Sequence, residues 1–216
     1  MTLRRVSRGE AAFIIGVPLA WAILLLFHPG GEPDTIYLNL QDKVDRFLVV
    51  HIGMLIFIPL FAAAVYVLMR DIEGTAARVS RIALIPFVIF YGAFETLQGI
   101  GVGTLVDDLN GLPAIDQATR EDLTQDYAEN VLFRDFGVFV SIGNIALVTS
   151  LIAAGVALRD RAGAPLSVAI LLGISALLIT AHPPPYGPSG LVLFVVAVLL
   201  FWRSQSAEIR EPATAA

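Results

Sequence analysis

The feature that most constrains this chain is the recurrence of long apolar runs separated by short polar ones. Six such segments can be drawn, at 11–27, 47–69, 82–106, 136–158, 165–181 and 187–203. A helix rises about 1.5 Å per residue, so about 20 apolar residues cross a hydrocarbon core of about 30 Å. Their number leaves little chain for a soluble domain. Of the 216 residues 56% are hydrophobic and 15% charged, well above the apolar usage of soluble domains. The expected fold is an all-α bundle of six transmembrane helices forming one domain over 1–203, with a disordered tail at 204–216. The last segment is the weakest: its uninterrupted apolar core, Leu191 to Trp202, is short and spans only if Tyr186 to Gly190 add a turn. Pro18, Pro59 and Pro86 fall inside the first three helices, where each removes a backbone hydrogen bond and favours a kink. The first segment has a basic start but no small-residue cleavage site, and reads as an uncleaved anchor.

Arginine placement sets the expected orientation. With the N-terminus cytoplasmic, Arg4, Arg5, Arg8, Arg70, Arg78, Arg81, Arg159, Arg161, Arg203 and Arg210 lie inside, and Lys43, Arg46, Arg120 and Arg134 outside, as the positive-inside rule requires. Six spans return the C-terminus to the cytoplasm, and the expected location is the cell membrane, multi-pass. The longer connections, Pro29 to Asp45 and Asp107 to Asp135, then face outward. In the second, Thr119 with Asp122 resembles a capping box, and Leu123, Tyr127 and Val131 recur at helical spacing. This is an amphipathic lead-in to the fourth span or, less favoured, a lid across the bundle mouth.

Within Ile82 to Val106 the sole charge is Glu95. An acid at the centre of a bilayer costs roughly 2.5–3.5 kcal/mol on insertion scales, so it must be paired, protonated or turned to a polar cavity. Tyr91, Glu95 and Gln98 recur at helical spacing and share one side, beside a track of Gly92, Thr96, Gly99 and Gly103 that permits close helix contact. On the fourth span Gly137, Ser141 and Asn144 form a comparable face. A Glu95 hydrogen bond to Asn144 or Tyr91 accounts for these residues structurally. The functional alternative is a protonated carboxyl in a dry cavity lined by Phe87, Phe90, Tyr91 and Phe94, delivering its proton to an apolar substrate.

The three histidines, His28, His51 and His182, all fall in the outer half. Imidazoles from three helices are a permissible set for a metal with one open position, with Glu95, Asp45 or Asp135 as a fourth ligand or an outer support. No local HxxxH or HExxH spacing is present, so convergence rests on depth alone and no metal ligand is assigned. His28 and His182 are read first as interfacial residues bonding loop carbonyls. His51 lies deeper; it is read first as a neutral imidazole hydrogen-bonded to another helix, and otherwise as proton partner to Glu95, metal ligand or haem ligand.

The sole lysine, Lys43, is in a loop, which disfavours a retinal Schiff base; no GxxxxGK[ST] loop is present, and no basic stripe suggests nucleic acid. The absence of cysteine removes thiolate ligands and thiol catalysis. The leading expectation is a membrane protein that binds or processes an apolar small molecule of lipid or isoprenoid type in an outward-opening intramembrane cavity, by acid-initiated isomerisation or cyclisation. Glu95 and His51 are the candidate catalytic residues, and Tyr91, Gln98, Asn144, Phe94 and Ser141 the candidate substrate-binding ones. A non-catalytic accessory or lipid-binding protein and a proton-linked carrier are the alternatives. Membrane lipids are the expected surroundings, and the letters assign no cofactor.

Overall fold

A computed structural model describes residues 6–30, 35–134 and 136–208. Arg4, Arg5, Asp135 and Arg210, used above for orientation or as a possible ligand, lie outside the described residues, as does 209–216 of the expected tail. The described chain is all-helical, with no strand. In order it forms α1 (Arg8–Leu25), α2 (Ile36–Leu40), α3 (Val44–Met69), α4 (Thr75–Asn110), α5 (Gln117–Phe133), α6 (Gly137–Ala162), α7 (Leu166–Thr180) and α8 (Tyr186–Glu208).

Among the described residues, five helices are long and apolar enough to cross a membrane: α1, α3, α4, α6 and α8. The short one is α7, with 15 residues, and not the last segment. Tyr186 to Gly190 join α8 as helix, supplying the turn that its apolar core lacks. Large aliphatic side chains such as Ile23, Ile52, Ile56, Ile85, Ile145 and Leu177 remain exposed around the bundle, the surface expected of helices that face lipid.

The two ends of the bundle differ in charge. Arg70, Arg78, Arg81, Arg159, Arg161 and Arg203 lie at the ends of helices that meet on one side, here called the arginine end. There the Arg70 guanidinium donates to Glu10 Oε1 at 2.7 Å, tying the start of α1 to the end of α3. Arg81 Nη1 donates to the carbonyls of Met69 and Ile72, satisfying the end of α3 that its own ladder leaves open. Ser7 and Glu10 form a reciprocal cap at the start of α1.

Trp21 of α1, Phe61 of α3 and Phe194 of α8 stack edge-on in series, with ring centres 5.6 and 5.0 Å apart. The α7–α8 hairpin closes through Ser175, whose hydroxyl donates to the Gly190 carbonyl at 2.8 Å. Gly143 of α6 lies against the backbone of Tyr91; a Cβ there would stand 2.7 Å from the Tyr91 nitrogen. This close approach fixes the α4–α6 contact directly behind the polar residues of α4.

Helix α4 is not a uniform α-helix. Phe87–Tyr91 and Glu95–Gly101 wind as π-helix, the first directly after Pro86. Such wide turns within α-helices recur at functional sites because they re-aim side chains.

The opposite end carries a second apolar cluster, in which Tyr37 and Leu40 of α2 pack with Phe47, Val102, Val106, Leu109 and Ala128. Helix α5 lies across α2 and α4, and its Tyr127 hydroxyl donates to the Leu97 carbonyl at 3.3 Å. It is thus a docked cap on the bundle. Its N-cap is Asp116, whose side chain accepts from the Thr119 amide; the Thr119–Asp122 box expected from spacing is displaced by one turn, because the helix starts earlier at Gln117. The buried stripe is Thr124, Ala128 and Val131, while Leu123 is exposed.

Candidate metal centre

Three helices deliver the histidines to one point. His28 follows the C-terminus of α1, His182 follows that of α7, and His51 stands two turns into α3, so all occupy the end opposite the arginines. Their ring centres are 5.0 Å apart for His28–His51, 5.1 Å for His28–His182 and 6.0 Å for His51–His182. One ligand nitrogen from each lies within 4.8 Å of the others.

Hydrogen bonds define which nitrogen is free. His51 Nδ1 donates to the Phe47 carbonyl at 2.8 Å, one helical turn back, and His28 Nδ1 donates to the Pro29 carbonyl at 2.9 Å. A carbonyl only accepts, so Nδ1 carries the proton in both rings and Nε2 presents its lone pair. His28 Nε2 is buried and meets no donor. A backbone carbonyl on one nitrogen and an unprotonated second nitrogen facing inward is the usual arrangement of a metal-binding imidazole.

Glu95 adjoins this cluster from the second π-helical segment. It is fully buried, with Oε2 3.7 Å from His51 Nε2 and Oε1 3.7 Å from His182 Nδ1. Neither oxygen closes a short hydrogen bond. The Tyr91 hydroxyl stands 3.5 Å from His182 Nδ1 and is directed at the Glu95 carboxyl as a long hydrogen-bond donor. Phe47 packs on His51 with ring centres 4.0 Å apart.

Glycine makes this arrangement possible at one position. Gly99 lies directly under the His51 ring, and a Cβ there would overlap the imidazole. The small-residue track on α4 is therefore where α3 approaches, with Gly103 against Leu48 and Phe47 and Gly99 against His51; Gly92 touches nothing in this way.

The sequence-derived site is brought together in part. Glu95, His51 and Tyr91 meet. Phe94 is buried beside Tyr91, with ring centres 6.0 Å apart. Gln98 Oε1 and Asn144 Oδ1 are buried and make no hydrogen bond, so the Glu95–Asn144 bond of the structural reading is not formed. Ser141 is exposed and does not face the cluster. His28 and His182, unassigned from sequence, complete it. Their only signal was shared depth, because the order of helices around a bundle is not written in hydropathy.

The chemistry of the donor set is specific. Three neutral nitrogens and one adjacent carboxylate, with no thiolate in the chain, suit a divalent ion of intermediate hardness such as zinc or iron(II). Metal–nitrogen bonds of about 2.0–2.1 Å put tetrahedral donors about 3.4 Å apart. The 4.8 Å set is wider than that spacing, so an ion held there would draw the rings together. An uncompensated carboxylate and a desolvated dication are each costly in hydrocarbon and offset one another when adjacent.

No family model, curated protein or solved structure matches this chain. Functional assignment rests on the chemistry of the site itself.

Proposed function

We propose that this chain is a six-span membrane metalloprotein of the cell membrane, with both termini cytoplasmic, whose centre is held by His28, His51 and His182 beside Glu95. The observation that carries the reading is the convergence of three imidazole nitrogens within 4.8 Å next to a buried carboxylate without a short hydrogen bond. The arginines at the far end support the orientation, which turns the centre toward the outer surface. Its depth gives it access to an apolar small molecule of lipid type dissolved in the bilayer.

Metal analysis of protein purified in mild detergent tests this. One equivalent of a divalent transition metal is expected per chain, falling below about 0.1 in His51→Ala and His28→Ala at unchanged helicity. A chain that purifies metal-free and binds none on titration would refute it.

One observation favours a second reading. Phe87, Tyr91 and Phe94 form a ring series beside Glu95, with centres 5.4 and 6.0 Å apart, and aromatic faces stabilise a developing cation. In that case Glu95 is the proton donor of an isomerisation or cyclisation and His51 its proton partner. Turnover that survives complete metal removal would select this reading.

A further inference from the structure

Resting on the metal reading above, we propose that the centre is hydrolytic, and that it cleaves an ester or amide linkage in a membrane amphiphile with Glu95 as general base. Three features lead there.

The first is the position of Glu95. It abuts His51 and His182 at 3.7 Å but is not a member of the tight set formed by the three histidines. Ligating side chains are oriented by a second hydrogen bond. His28 and His51 have theirs, from the Pro29 and Phe47 carbonyls, whereas neither oxygen of Glu95 closes a short hydrogen bond. A carboxylate held beside a three-nitrogen centre with lone pairs free is placed to take a proton from a water in the fourth position. The second is Tyr91, whose hydroxyl reaches the same point 3.5 Å from His182 Nδ1 and supplies a donor for the oxygen on which charge develops.

The third is depth. His51 lies seven residues beyond Val44, the start of α3, or about 10 Å down the helix. The 26 residues of α3 extend about 39 Å, which exceeds a hydrocarbon core of about 30 Å and projects roughly 4–5 Å past each boundary when centred. The histidines therefore lie on the order of 5 Å inside the hydrocarbon edge. Carbonyl linkages that join acyl chains to a polar head sit at this boundary.

The step balances with water as the only co-reactant. Glu95 takes a proton from water as its oxygen bonds to the carbonyl carbon. The C–O or C–N bond then breaks, and the proton passes from Glu95 to the departing alcohol or amine. An acid and an alcohol or amine leave, and nothing is oxidised or reduced.

The experiment uses the full chain in mixed micelles, after its metal content has been measured. The probes are a long-chain p-nitrophenyl ester, a diacylphosphatidylcholine and a long-chain N-acyl amide, each in water enriched with oxygen-18. Metal-dependent release of acid carrying one heavy oxygen is expected from at least one probe. In Glu95→Gln the rate falls at least about 100-fold, the scale of a general base, while the metal stays bound. A metal-replete chain that releases no acid, turnover that requires oxygen and a reductant, or loss of metal from Glu95→Gln overturns the proposal. A chain without metal defeats the earlier reading instead, and the metal assay reveals that before any substrate is added.

Discussion

Glu95 and the three histidines explain one another at the scale of single residues. Alone, the acid is a costly carboxyl in a buried interior; beside His51 and His182 it is placed to be the counter-charge that a bound dication needs. Gly99 is the residue on which the geometry depends most narrowly, since its hydrogen occupies the space next to the His51 ring. Gly99→Ala is expected to push the imidazole aside. Overpacking of this kind costs about 1–3 kcal/mol, and displacement of a ligand or its support weakens metal binding about 10–100-fold. Isothermal titration with the metal, alongside the thermal midpoint, separates the two effects. The expense of Glu95 and its face with Tyr91 were legible in the sequence, because a charge in an apolar run has few explanations. The partnership of His28 and His182 was not. They sit in connections, and a connection reveals its depth but not its neighbour.

At the scale of elements, α4 and α5 act together. The π-helical turns from Glu95 to Gly101 leave backbone carbonyls less regularly paired than an α-helix does, and the Tyr127 hydroxyl of α5 donates to one of them, Leu97. Tyr127→Phe removes a single hydrogen bond, so a loss of about 0.5–1.5 kcal/mol is expected. Hydrogen exchange should report it as faster exchange confined to residues 97–101 and the facing turn of α5. The start of α5 has a pH signature of its own. The Thr119 amide, followed by the Thr119 hydroxyl, holds the Asp116 carboxyl below its ordinary range. Its capping contribution is therefore complete above the unfolded value of about 4 and is lost as pH falls through the lowered folded value. Amide protection in the first turn of α5 should fall only in that acidic window, and Asp116→Asn should flatten the response. The placement of α5 was ambiguous in sequence, because a polar helix with a narrow apolar stripe fits a lead-in as well as a cap. Spacing alone places its start one turn late, since Asp116 and Thr119 are both good caps and only the backbone decides between them.

At the scale of the whole molecule, hydropathy located the described helices that are long and apolar enough to cross a membrane, and charge divided the bundle into an arginine end and a histidine end. It ranked the short segments in the wrong order, because the apolar core of α8 understates a helix that starts at Tyr186 and continues past Arg203. The centre joins α1, α3, α4 and the end of α7, so an ion held there links four parts of the bundle. At a free metal concentration 100-fold above the dissociation constant, such binding adds about 2.7 kcal/mol to stability. Chelation is expected to lower the thermal midpoint, and readdition of metal to restore it, in the native chain and not in His51→Ala.

X-ray absorption at the metal edge, on purified and metal-quantified protein, is the most direct measurement of the central claim. One ion per chain should show a first shell of nitrogen and oxygen at about 2.0–2.1 Å with the outer-shell scattering of three imidazoles, and that signal should be lost with the ion in His28→Ala, His51→Ala and His182→Ala alike. A stoichiometric ion whose spectrum is unchanged by all three substitutions would contradict it, as would a folded chain that takes up no metal.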